Sequence, residues 1–183
     1  GDVTIVQRPG IDVVIDGEGL KYDGTITIDG DNRADGAEAL TIKNIKFETE
    51  TAKTFVSAPG SLNGKNERYS HNVTIEDCTF YTPTFNENVS AISTQKTYHF
   101  AVKNCSAENM HSLLQVQSCD NDVTVENVTI TNCKNGISFG NTAFPTLKGA
   151  EINVKAYGVR TDADANRGEL VIENSNITAE TPV

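Results

Sequence analysis

Few side chains in this sequence could do chemistry, and they fall in small groups. His71 and His99 stand just ahead of two similar phrases, within "RYSHN" and "KTYHF". One place before three such phrases stand Asn72, His99 and Asp122. If those places stack, they form a polar column that could hold a ligand, with Arg68, Tyr69, His71 and Tyr98 beside it. The plainer alternative is a set of solvated corner residues. His111, in "NMHSLLQ", sits at a turn and has no evident partner in the sequence. "DADANRG" places oxygens at alternate positions, Asp162, Asp164 and Asn166, as calcium loops do. Its glycine comes one place later than an EF-hand needs and no helices flank it, so a plain turn competes with a metal site. "DGDNRADG" at 29–36 is a similar acidic loop. Calcium is the one ion these patterns allow, and no cofactor motif is present.

The four cysteines, Cys78, Cys105, Cys119 and Cys133, include no C-x-x-C pair, which argues against zinc. Cys78 and Cys105 occupy the same place in consecutive phrases. They read as stacked, buried thiols acting as small apolar residues, with a disulfide as the alternative.

Those groups must be positioned by something, and the positioning device is a repeat. Six segments align: "LTIKNIKF" from Leu40, "VTIEDCTF" from Val73, "FAVKNCSA" from Phe100, "VTVENVTI" from Val123, "PTLKGAEI" from Pro145 and "LVIENSNI" from Leu170. Their third places are all aliphatic: Ile42, Ile75, Val102, Val125, Leu147 and Ile172. The fourth alternates in sign: Lys43, Glu76, Lys103, Glu126, Lys148, Glu173. Stacked in register, opposite charges would lie about 4.8 Å apart along a ladder. Each exposed pair is worth less than ~1 kcal/mol, yet a slip by one copy would set like charges together. The fifth place holds Asn44, Asp77, Asn104, Asn127, Gly149 and Asn174, residues that accept left-handed backbone. This column is expected to turn inward as an amide ladder. Five Asn-x-Ser/Thr sequons, at 72, 88, 104, 127 and 176, follow from the same preferences and are not read as glycosylation.

A second apolar run follows each phrase, and Leu114, Ile137 and Val159 advance by the same step. Gln115, Ser138 and Arg160 then face outward, one per turn, in a column without a carboxylate pair. The chain therefore reads as a coil of about seven turns, each resting on the one before around a narrow core. Residues 40–180 carry the regular repeats and 1–39 the first, less regular turns. The whole of 1–183 is one domain. The abrupt "GDVTIV" start and the uncapped "NITAETPV" stop lead us to expect a module of a longer protein, with adjacent domains of the same chain as partners.

The "VTIEDC" and "VTVENV" phrases and the Asn corner resemble the pectin-lyase-like superfamily, over about residues 12–180. The phrasing is similar to that of bacterial cell-surface and phage-tail β-helices. The resemblance implies an all-β, single-stranded, right-handed parallel β-helix with three short strands per turn. It also implies a secreted or cell-surface location. For function it implies either a non-catalytic adhesin or stalk module, with a glycan or host-surface ligand, or an enzyme of acidic polysaccharides. A trimeric tail-spike segment is the third alternative. The "GHG" and "RIK" phrases of polygalacturonases are missing, and no paired carboxylates for acid–base work can be assembled. The non-catalytic module is therefore expected. The formal net charge of −10 and the lack of a basic stripe argue against nucleic acid. No apolar run is long enough for a membrane helix, and no direct membrane insertion is expected.

Overall fold

A computed structural model describes residues 1–31, 36–60, 69–161 and 168–183. Short β-branched runs broken by Asn, Asp and Gly become strands, three to a turn. The first turn is β1 (Val3–Val6), β2 (Val13–Asp16) and β3 (Lys21–Tyr22). The second is β4 (Ile26–Asp29), β5 (Leu40–Lys43) and β6 (Lys46–Glu48), and the third β7 (Lys53–Ala58), β8 (Ser70–Glu76) and β9 (Thr79–Asn86). Then come β10 (Val89–Thr94), β11 (Thr97–Lys103) and β12 (Ser106–Met110), followed by β13 (Leu114–Val116), β14 (Cys119–Glu126) and β15 (Thr129–Cys133). The sixth turn is β16 (Ile137–Phe139), β17 (Thr142–Lys148) and β18 (Glu151–Val154), and the last β19 (Val159–Thr161), β20 (Val171–Glu173) and β21 (Asn176–Thr178).

Each strand pairs in parallel with the one three places on, which gives three seven-stranded sheets and a solenoid of seven turns. The core is the space the sheets enclose. The aliphatic column stacks as Ile15, Ile42, Ile75, Val102, Val125, Leu147 and Ile172 in direct register. From Ile42 to Leu147 it is wholly buried, and Ile172 near the end is only partly covered.

The charged column also stacks as read, and Asp16 extends it by one turn below Lys43. Lys43 lies 3.5 Å from Asp16, Lys103 3.8 Å from Glu126 and Lys148 3.9 Å from Glu173. The Asn44 amide, ahead of Lys43, holds the Asp16 carboxyl below its ordinary range. Because every pair is half-exposed, reversing one charge is a small perturbation. Lys103→Glu should lower the unfolding free energy by about 1 kcal/mol or less, with the loss shrinking in high salt. A loss that ignores salt would remove the ladder from the account.

The Asn column needs one correction. Its residues do take left-handed backbone, with φ between 49° and 63° from Asn44 to Asn174. Their side chains, however, turn outward: Asp77, Asn104, Asn127 and Asn174 are exposed and Asn44 is half-exposed. The positive φ swings Cβ away from the core at the corner between the second and third strands of each turn. The amides then bond along the outside. Asn44 Nδ2 donates to Asp16 Oδ1 at 2.9 Å, Asn104 to Asp77 at 3.1 Å and Asn127 to Asn104 at 3.2 Å. A second outer ladder, unread from sequence, caps the next corner. There Asn132 donates to Asn109 Oδ1 at 2.7 Å, and Asn109 to the Thr82 carbonyl at 2.9 Å.

Candidate functional site

The structure assembles the expected polar column only in part. His99 and Asp122 meet through Nδ1 and a carboxylate oxygen, and the Asn121 amide donates to His99 Nε2 at 3.2 Å. The Tyr98 ring stands edge-on to His99 at 4.8 Å. Asn72, His99 and Asp122 all line one shallow hollow of about 370 Å³. His99 has φ 64° and the ladder to β14 slips there while the ladder to β8 keeps its register, so the side chain is re-aimed by a bulge. Tyr69 lies elsewhere, pairing with Asp31 in an antiparallel bridge, with the Lys96 ammonium 5.8 Å from its ring centre. Arg68, Asp162, Asp164 and Asn166 lie outside the described residues.

His71 does not belong to that hollow. It points inward and is 0% exposed. Gln7 from the first turn closes on its backbone, donating to the His71 carbonyl at 2.7 Å and accepting from its N–H at 2.9 Å. The Gly36 N–H donates to His71 Nδ1 at 3.1 Å, and Nε2 lies 3.0 Å from Asp31 Oδ1. Glu38, 4% exposed, completes a trio whose donor atoms lie within 4.8 Å of one another. Such a trio has the composition of a transition-metal site. The hydrogen bonds favour another role. With Gly36 donating to Nδ1, the neutral ring carries its proton on Nε2 and gives it to Asp31. A cation would need the lone pair that this proton occupies. His71 is thus wired as a clasp between the second turn and the third, not as a metal ligand.

A larger concavity lies elsewhere, along the outer face of β13, β16 and β19. This groove has a volume of about 510 Å³. One wall is the register column Gln115, Ser138, Arg160. The other is a corner column, His111, Asn135, Tyr157. The Tyr157 N–H donates to Asn135 Oδ1 at 3.4 Å, which sets the amide's orientation, and Asn135 Nδ2 then donates to His111 Nε2 at 3.2 Å. His111 therefore has a partner, contrary to the sequence reading. The Arg160 guanidinium stands 5.9 Å from the Tyr157 ring centre. Ser112 also lines the groove, and its hydroxyl is buried with no hydrogen-bond partner.

Chemically the groove offers hydroxyls, amides, one guanidinium and one aromatic face. The described residues that line it include no carboxylate. Across its three turns the groove presents the same two columns about every 4.8 Å, which suits an extended ligand with repeating hydroxyls.

No family model matches this chain, and no curated protein matches it either.

Proposed function

We propose that this solenoid is a non-catalytic extracellular module of a surface protein, of the pectin-lyase-like kind, that binds a glycan in the groove along β13, β16 and β19. The carrying observation is the groove's lining: one aromatic face and one guanidinium beside amides and hydroxyls, spread over three turns. Sugars are recognised by stacking on a ring and by amide and guanidinium hydrogen bonds to hydroxyls, and both are present side by side. The remaining surface is a rigid shaft of stacked strands, suited to holding such a groove away from its anchor.

A glycan array probed with the folded chain, with and without calcium, tests the reading. Arg160→Ala and Tyr157→Ala should each weaken the captured oligosaccharide about tenfold or more. Both side chains lie outside the core, so the thermal midpoint should stay within a degree or two of wild type. Equal binding by wild type and both variants would move the site out of this groove. Release of unsaturated or reducing ends from a polysaccharide would overturn the non-catalytic reading in favour of an enzyme.

A further inference from the structure

We propose that Cys78 and Cys105 are an oxidisable dithiol that closes to a cross-turn disulfide in the presence of a small-molecule disulfide of the glutathione type. Both are free thiols buried in the core at the corner after the Asn column. The residues that follow them, Thr79 and Ser106, are direct register partners. The two cysteines are thus one strand spacing apart, about 4.8 Å, inside the range of Cα separations that disulfides span. The other two cysteines lack this arrangement. Cys119 stacks between Thr97 and Thr142, and Cys133 pairs with Val154.

The pair is chemically asymmetric. The neighbouring Cys105 side chain holds the Cys78 thiol below its ordinary range, while the Cys78 side chain and burial push Cys105 up. Cys78 is the first to lose its proton and so the attacking sulfur. Its thiolate displaces one glutathione thiolate, which takes up the proton, and leaves a mixed disulfide. Cys105 then gives up its proton, attacks the Cys78 sulfur and releases the second glutathione. Two protein thiols are oxidised and one glutathione disulfide is reduced to two glutathiones. Because both sulfurs are buried, the reaction waits on local opening of the corner.

The test incubates the whole chain with glutathione disulfide, alkylates the remaining thiols in denaturant and reads the intact mass. Two of the four thiols should disappear, peptide mapping should join the segments holding Cys78 and Cys105, and dithiothreitol should restore all four. The oxidised chain should also melt higher than the reduced one. Cys105→Ser should abolish the link without unfolding the chain, since Ser175 already fills the same column. The Cys119→Ser, Cys133→Ser double variant should keep it. Four free thiols at equilibrium, a glutathione adduct that never closes, or a link through Cys119 or Cys133 would each overturn the proposal.

Discussion

Phe80→Ala should cost about 4 kcal/mol, the largest loss expected from one truncation in this chain. Phe80 is 1% exposed and lies in direct register with Phe47, the two rings stacked 4.9 Å apart at 6°. Phe55 leans on both, 5.4 Å from Phe47 and 6.0 Å from Phe80. On the far side its register partner in the next turn is the small Ala107. Removing the ring therefore opens a cavity that a methyl group cannot fill, where aromatic packing joins the second and third turns. A domain of this size is stable by roughly 5–15 kcal/mol, so the loss is a large fraction of the whole. In a coil each turn touches only its neighbours, and the damage should be local before it is global. Hydrogen exchange should show the amides of β1 to β6 opening well before those of β13 to β18. Urea titration of the variant should show a broadened or split transition. A loss below about 1.5 kcal/mol, or uniform loss of protection along the chain, would mean the aromatic cluster does not couple these turns.

The fold was legible because its columns constrain residue type one by one. A core place accepts only aliphatic residues, a left-handed corner favours Asn, Asp or Gly, and an exposed ladder rewards alternating sign. All three demands fall on the same eight-residue phrase, so "VTIEDCTF" and "VTVENVTI" announce their own stacking. The direction of the Asn side chains was not legible. The same residues serve an inward or an outward ladder, and the residue types alone do not say on which side of the corner the side chains stand.

The groove was hidden for a different reason. Leu114, Ile137 and Val159 share a column. Counting back from them sets Ser112, not His111, opposite Asn135. The turns before β13 and β16 are the same length, so the register alone pairs Ser112 with Asn135, and it is the path of the corner that brings the His111 ring to the Asn135 amide. The groove's corner wall, His111, Asn135 and Tyr157, also shares no residue type, so no repeat search collects it. Gln115, Ser138 and Arg160 were visible as an outward column, but nothing in their spacing told that a second wall faces them. The polar column of Asn72, His99 and Asp122 was found by counting, and His71 was wrongly joined to it. One residue separates His71 from Asn72, and along a strand that single step exchanges the outer face for the core.

That step makes His71 the second large effect. His71→Ala should destabilise the chain by about 3 kcal/mol, because it strips partners from two groups at once. The Gly36 N–H loses its acceptor, and Asp31 loses a donor in a setting where a carboxylate is costly to leave short of hydrogen bonds. A void the size of an imidazole adds to the loss. Two comparisons separate the clasp from the metal site that the same three residues suggest. His71→Asn keeps a planar side chain whose carbonyl oxygen can accept from Gly36 while its amide donates to Asp31, so it should recover part of the lost stability. A metal ligand would not be replaced in this way. Chelator supplies the other comparison: ethylenediaminetetraacetate should leave the wild-type melting midpoint unmoved, and added zinc, cobalt or manganese should not raise it. A midpoint that falls with chelator and rises with one of those ions would show the lone pair of Nε2 to be available after all. The proton would then have to sit on Nδ1, facing the Gly36 N–H. The segment that carries Gly36 and Glu38 could not then keep the path it follows here, because the hydrogen bond from Gly36 to the ring would have become a contact between two donors.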